Sequence, residues 1–250
     1  MTRFALISDV HANVEALEAV FRKIDALGFD EIYCLGDIIG YGADPEACTR
    51  MIMQRCRWSI MGNHDYGLTS DLRDFNPLAA NALALTRRRL KPSLLSFGKR
   101  AIWNYLTNLP HTMSAHGFEF FHGSPRDPIM EYVLKTDGFL EPEKMAGIFA
   151  RLRGPCFVGH THWPGVHDQS FRFHQATDER RVYELDGEPV VVNVGSVGQP
   201  RDGDPRACFA TVDGQRVEFH RVPYDFRRTQ EKIRAAGHHP ALADRLAIGK

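Results

Sequence analysis

Apolar and polar positions along the chain change period several times, and each change predicts an element. Phe4-Ala5-Leu6-Ile7 is a continuous apolar run of the length of a buried strand. From Asn13 to Leu27, Val14, Leu17, Ala19-Val20-Phe21 and Ile24 fall at helical spacing, and the pattern stops at Gly28. Glu31 to Leu35 reads as a second strand, Pro45 to Met53 as a second helix and Trp58 to Met61 as a third strand. This β-α-β-α-β alternation calls for an α/β fold, with parallel strand pairs covered by helices.

From Tyr66 to Pro110 the pattern turns mostly helical, with helices predicted over Pro77 to Leu90 and Ser96 to Leu109. This stretch follows the Asn63-His64 turn directly and is expected to form a lid. Phe118 to Phe121 resumes the strands, followed by a loop-rich piece over 124–134 and a helix around Glu141 to Arg151. Further strands are predicted at Pro155 to Val158, Phe171 to Phe173, Arg181 to Leu185, Pro189 to Asn193, Ala207 to Val212 and Arg216 to Arg221. The chain closes with a helix over Phe226 to Ala236 and a shorter one near Leu242. With no repeat, low-complexity stretch or clear linker, residues 1–250 read as one domain with a helical lid insertion at about 66–110.

Composition narrows the partners. Hydrophobic residues make up 43% and charged residues 25%, as in an ordinary soluble protein. A formal net charge of zero provides no global field to draw in nucleic acid or an anionic membrane, and favours a small or neutral-ended substrate. Five scattered cysteines (34, 48, 56, 156 and 208) lack CxxC spacing, which disfavours a disulfide framework and points to a reducing compartment. No apolar stretch approaches the roughly 20 residues of a membrane span, and no signal sequence precedes the first strand. A cytoplasmic protein is expected.

Candidate chemistry clusters just past the apolar runs: Asp9-Val10-His11, Gly36-Asp37, Gly62-Asn63-His64-Asp65, His122-Gly123 and Gly159-His160-Thr161-His162. Singly, each has a plain structural role. Asp9 could cap the following helix, Asp37 and Asn63 beside glycines suit turns, and a lone histidine is usually just hydrogen-bonded. Five such coincidences at strand ends, where parallel α/β sheets gather functional side chains, point instead to metal ligands. Seven candidates exceed the roughly four to six ligands of one first-row ion, so two adjacent metals sharing a carboxylate are expected. Carboxylate, imidazole and amide donors without thiolate suit Mn, Fe, Ni or Zn and disfavour a closed structural zinc site. Two ions about 3.5–4 Å apart can trap a bridging hydroxide and polarise a phosphoryl group.

These residues resemble the calcineurin-like metallophosphoesterase family, whose pattern is D-x-H, G-D, G-N-H-D/E, H and G-H-x-H in this order. The Asn193 to Gly203 loop resembles the N-x-G-S-V-x-x-P-R segment of its small bacterial and archaeal phosphodiesterase-like branch. The resemblance implies a four-layer sandwich of two mixed β-sheets flanked by helices. It implies one metal held by Asp9, His11, Asp37 and His162, and a second by Asp37, Asn63, His122 and His160. It also makes His64 the general acid for the leaving group, and the protein a phosphodiesterase of a small or nucleotide-like ester. Where the phosphoprotein-phosphatase branch reads G-D-x-x-D-R-G, this chain has Gly40 and Tyr41, which argues against a protein phosphatase. Asp65 becomes the nearest residue to orient His64, and Arg201, Arg126 and Tyr41 become the candidate phosphate contacts. A non-catalytic scaffold on the same fold and a nuclease are the alternatives. The first is opposed by the complete ligand set, the second by the absence of a basic stripe with interleaved aromatics. Arg87-Arg88-Arg89 reads as a solvated helix face, Phe75 and Tyr132 as packing residues, and His238-His239 as tail residues without a catalytic role.

Overall fold

Phe4 and Leu6 point to one side of their strand and Ala5 and Ile7 to the other, and all four are buried. A strand with no polar face needs cover on both sides, and a layered fold supplies it. The computed structural model describes residues 2–93 and 97–250, so the predicted helix start at Ser96 lies outside the described residues. In the first third, β1 (Arg3–Ile7), β2 (Ile32–Cys34) and β3 (Trp58–Ser59) alternate with α1 (Val14–Leu27) and α2 (Pro45–Arg55). Then come α3 (Asn63–Tyr66), α4 (Pro77–Leu90) and α5 (Phe97–Thr107), the hairpin β4 (Thr112–Ala115) and β5 (Phe118–Phe121), and α6 (Asp137–Leu140) and α7 (Pro142–Phe149). Strands β6 (Cys156–Val158), β7 (Gly165–His167), β8 (Phe173–Gln175), β9 (Val182–Glu184), β10 (Val191–Asn193), β11 (Ala207–Asp213) and β12 (Arg216–Val222) follow. Two helices, α8 (Phe226–Ala235) and α9 (Pro240–Asp244), and a 3-10 turn over Arg245–Ala247 close the chain.

One sheet has the order β3-β2-β1-β11-β12-β9 and the other β4-β5-β6-β10-β7-β8. Each is mixed: β1 is parallel to β2 but antiparallel to β11, and β6 is parallel to β5 and β10 while β7 runs against β10. Their facing sides meet in a core of Phe4, Leu6 and Tyr33 from the first sheet and Phe120, Phe157 and Val192 from the second. The outer face of the first sheet packs Ala5, Ile7 and Cys34 against α1 and α2, and that of the second packs Phe121, Val158 and Val191 against α7. Each buried phenylalanine contributes about 1.5–3 kcal/mol of transfer energy, so the inter-sheet aromatic cluster is a main anchor of the sandwich. The expected four-layer α/β architecture is therefore present. Among the described residues, no helix is long and apolar enough to cross a membrane.

The structure departs from the sequence expectation where local pattern is weakest. Strand β4 was not expected; His116 and Gly117 both have positive φ (54° and 84°), the geometry of a two-residue hairpin turn. Strand β7 was likewise missed, and β8 begins at Phe173 rather than Phe171. The cap of α1 is Asn13, whose side chain accepts from Ala16 N at 3.2 Å, which leaves Asp9 free of a capping role. The basic run on α4 is not simply solvated. Arg87 donates to Gly67 O (2.6 Å) and Ser70 O (2.7 Å), and Arg89 donates to Ala43 O, so α4 clamps the loop after α3 and the loop between β2 and α2.

Candidate metal centre

Parallel strands aim their carboxyl ends at one edge, and both sheets do so here. Asp9 and His11 follow β1, Asp37 follows β2, Asn63 opens α3 after β3, His122 follows β5, and His160 and His162 follow β6. All seven side chains are buried, and they converge. His11 Nε2 lies 3.0 Å from His162 Nε2, 3.8 Å from Asp9 Oδ1 and 3.6 Å from Asp37 Oδ2. On the other side of the Asp37 carboxylate, His122 Nε2 stands 3.5 Å from the same Oδ2 and 3.2 Å from Asn63 Oδ1. His160 completes this second group with Asp37 and His122.

The loops pay for this convergence in backbone strain. Among the described residues, eight non-glycine residues have positive φ, and five of them are Asp9, His11, Asp37, His160 and His162, with φ between 48° and 65°. Left-handed backbone costs a side-chain-bearing residue about 1 kcal/mol or more, so such clustering marks a site held against local preference. Close loop approach adds a second constraint. A Cβ on Gly62 would stand 2.1 Å from Asp37 Oδ1, so only glycine lets α3 start against that carboxylate.

Backbone carbonyls fix the rings. His11 Nδ1 donates to Ile39 O (3.3 Å), His122 Nδ1 to Leu35 O (2.8 Å), His160 Nε2 to Met130 O (3.2 Å) and His162 Nδ1 to Gln199 O. A carbonyl can only accept, so each bonded ring nitrogen carries a proton and the other nitrogen faces the cluster. In the neutral rings of His11 and His162, two lone pairs therefore meet at 3.0 Å. Asp9 Oδ1, 3.2 Å from His162 Nε2, has no hydrogen-bond partner. Converging acceptors without a donor are a ligand set for a cation, and these residues fit one.

Protonation follows from burial and the two carboxylates. Burial would raise Asp9, but His162 and His122 outweigh it and hold its carboxyl at about 2. Burial and neighbouring histidines keep His11 well below the usual value, and burial and His122 do the same for His160. His122 is the exception. Burial disfavours its charge, yet Asp37 and Asp9 prevail and push it up to about 9 from the usual 6.5. A raised histidine stabilises the fold below about 6.5, and that stability is lost as pH rises through about 9. His11, His64, His160 and His162, all pushed down, stay neutral in that window and act only below it. Without divalent metal, the melting temperature is therefore expected to fall between pH 6.5 and 9, and added metal should reverse the loss by taking the place of the His122 proton. A metal-stripped protein whose melting temperature is flat across that range by calorimetry would contradict the His122–Asp37 pairing.

His64 sits beside this cluster, its ring at 4.7 Å from His11, 4.5 Å from Tyr41 and 5.8 Å from Phe75. Asp65 does not orient it. The Asp65 carboxylate accepts instead from the N–H groups of Ile38 (3.1 Å), Ile39 (3.3 Å) and Gly62 (3.1 Å), tying the loop after β2 to α3. His64 Nδ1 has no partner, and aromatic packing sets the ring. Gly40, at φ 145°, makes the space: a Cβ there would lie 2.5 Å from His11 Nδ1 and 2.7 Å from His64 Nδ1. Arg126 also fails to reach the site, because its guanidinium turns to Glu131 (3.3 Å) and Lys144 O (3.4 Å). Arg201 does lie alongside, bonded to Gln199 Oε1 (3.0 Å) and 3.5 Å from Tyr41 OH. Tyr132 stacks on His160 at 3.7 Å.

Several supporting residues escaped sequence reasoning. Asn193, at the end of β10, donates to Gly159 O (2.6 Å) and Thr161 Oγ1 (2.8 Å), and Ser196 Oγ donates to Asp9 O (2.9 Å). The loop they belong to joins the two ligand loops from opposite sheets. Its N-x-G-S-V segment was visible in the sequence, but its bracing role depends on partners distant in the chain. Arg245 was missed altogether; it donates to the same Gln199 Oε1 at 3.1 Å.

Comparison with known proteins agrees with this geometry. The chain is similar to an uncharacterized protein of Methanocaldococcus jannaschii, 34% identical over 255 residues and 98% of each chain. It is similar to the crystal structure of a metallophosphoesterase from Sphaerobacter thermophilus, with 37% identity, a TM-score of 0.84 and 100% of each chain covered. A hypothetical protein from Pyrococcus horikoshii shares the fold at 20% identity and a TM-score of 0.77, over 100% of this chain and 99% of its own. Residues 2–216 match the calcineurin-like phosphoesterase superfamily domain, and with the cluster at the strand ends and these relatives the chain belongs to that superfamily.

Proposed function

We propose that the protein is a binuclear metal-dependent phosphodiesterase acting on a small or nucleotide-like phosphate ester. The observation that carries this reading is Asp37 Oδ2, placed 3.6 Å from His11 Nε2 and 3.5 Å from His122 Nε2, between two groups of candidate ligands. Asp9, His11, Asp37 and His162 would hold one divalent ion, and Asp37, Asn63, His122 and His160 the other, with Mn, Fe, Ni and Zn all suited to such donors. When bound, the pair would polarise the phosphoryl oxygens and supply a nucleophile at neutral pH.

The chain's own contribution is orientation and proton supply. His64 presents its Nδ1 edge to Gly40, so Nε2 is the nitrogen that would protonate the leaving oxygen. Burial, with Arg201 adding to it against the pull of Asp37, holds this imidazole at about 4. The anionic phosphoryl group brought beside it acts in the opposite direction and restores the proton for transfer. Tyr41 and Arg201 line the same side and would contact the substrate. Residues 66–110, which bring Phe75 against His64, would cover this side of the site within a single domain.

Protein loaded in turn with Mn²⁺, Ni²⁺ and Fe²⁺ should hydrolyse bis-aryl phosphates, and aryl monophosphates for comparison. No hydrolysis of either with any of the three ions would end this reading. Cleavage of single-stranded DNA with steep salt dependence would move it toward a nuclease.

A further inference from the structure

On the side of Tyr41 next to the cluster, its ring lies 4.6 Å from His11 and 4.5 Å from His64. The guanidinium carbons of Arg201 and Arg245 each lie 5.8 Å from the same ring centre. Both arginines donate to Gln199 Oε1, at 3.0 and 3.1 Å, so the two bonding nitrogens are no more than about 6 Å apart. Two positive charges this close, both partly buried, would ordinarily share a carboxylate. Here they share a neutral amide. The nearby acids are committed elsewhere: Asp202 to Arg221, Asp204 to Arg206 and Asp244 to Arg234. Among the described residues, neither Arg201 nor Arg245 forms an ion pair, and Arg201 Nε is buried without a partner.

The pair is also built rather than incidental. Leu246, beside Arg245, is buried in a small core with Tyr41, Ala43, Ala82 and Leu242. Gly203 N donates to Gly249 O at 2.9 Å, tying the last turn of the chain to the loop just past Arg201. Burial and the neighbouring Arg201 push the Arg245 guanidinium down from its usual value, as expected of two like charges held together. Fork-shaped donors with no acid to fill them match phosphate oxygens.

We infer that Arg201 and Arg245 form a second anion subsite, one aromatic ring away from the metal cluster, that takes a phosphate group other than the one being hydrolysed. The favoured substrate class is then a phosphate-rich ester or anhydride, such as a nucleoside polyphosphate, rather than a diester with a single phosphate. This substrate assignment rests on the phosphoesterase reading above; the anion subsite does not.

Two measurements keep those parts separate. In the first, metal-stripped protein, dialysed free of chelator, is titrated calorimetrically with tripolyphosphate and with orthophosphate at low ionic strength. Tripolyphosphate should bind more tightly, and R245Q and R201Q should each weaken it at least about tenfold, while R126Q leaves it unchanged. Equal binding by wild type and R245Q, with both folded by thermal melt, overturns the subsite. In the second, metal-loaded protein is assayed on ATP and on bis(p-nitrophenyl) phosphate. R245Q should lower the ratio of kcat/KM for ATP to that for the aryl diester at least about tenfold. An unchanged ratio, with both substrates slowed equally, assigns the pair to the scissile phosphate or to scaffolding and overturns the second-phosphate assignment. Arginine-dependent tripolyphosphate binding by a protein that hydrolyses nothing would sink the esterase reading alone and leave the subsite standing.

Discussion

Replacing Asp37 with alanine is expected to abolish metal binding and turnover together. Among the described residues, no other side chain stands between both groups of candidate ligands: its Oδ2 stands 3.6 Å from His11 Nε2 and 3.5 Å from His122 Nε2, while Oδ1 accepts from His64 N at 2.7 Å. Loss of an outer-shell partner typically costs about 10–100-fold in metal affinity, and a shared ligand should cost more. The alanine variant also leaves a buried His122 without the carboxylate that raises it, and removes one tie between α3 and the loop after β2, the Asp65 tie remaining. Asp37→Asn separates these effects, because an amide oxygen can still accept from His64 N while supplying no bridging charge. Its thermal melt without metal should stay closer to wild type than that of Asp37→Ala, yet elemental analysis should find neither variant loaded with two ions. A fully loaded, active Asp37→Asn protein would refute the bridging role.

His64→Ala should behave differently, keeping both metals and slowing turnover by about 10²–10⁴-fold. The distinction comes from position. The ring lies against Tyr41, His11 and Phe75, and its Nδ1 bonds to no group. A proton donor matters in proportion to how badly the leaving group needs the proton. Esters of alkyl alcohols should therefore lose most in the variant, and p-nitrophenyl esters, whose leaving group departs readily as an anion, should lose least. Equal losses across leaving groups would show a structural role, and loss of the ions would make His64 a ligand. His64 does lie within ligand reach of His11 and Asp37, so metal analysis of this variant is the decisive control.

Much of the candidate centre was legible in the chain because each candidate ligand is attached to the end of a strand. Phe4 to Ile7, Ile32 to Cys34 and Cys156 to Val158 announce themselves as buried runs, and a side chain one to five residues past such a run cannot travel far from the sheet edge. All seven ligand candidates were brought together for that reason. Asp65 shows the limit of the same logic. It is adjacent to His64 in sequence, but one turn of α3 points its carboxylate at the amides of Ile38, Ile39 and Gly62 instead. Proximity along the chain suggests His64 as its partner; side-chain direction gives it the three amides. Arg126, close behind His122, was lost in the same way, since the 124–134 loop turns it toward Glu131 and α7 while using Met130 O to hold His160.

By itself, the sequence determined the layered α/β fold, the types and order of the candidate ligands, and so the superfamily to which the chain belongs. Hydrophobic period and strand-end position are local properties, and they survive folding unchanged. Tertiary structure alone decided which ring nitrogen faces the cluster, because that choice depends on carbonyls of Leu35, Ile39, Met130 and Gln199 contributed by other loops. It also decided that Gly40 makes room for two imidazoles, and that Arg245 meets Gln199 across 46 residues of chain. Contacts of that kind depend on where a side chain is carried and which way it points, and no short-range pattern of residues encodes either.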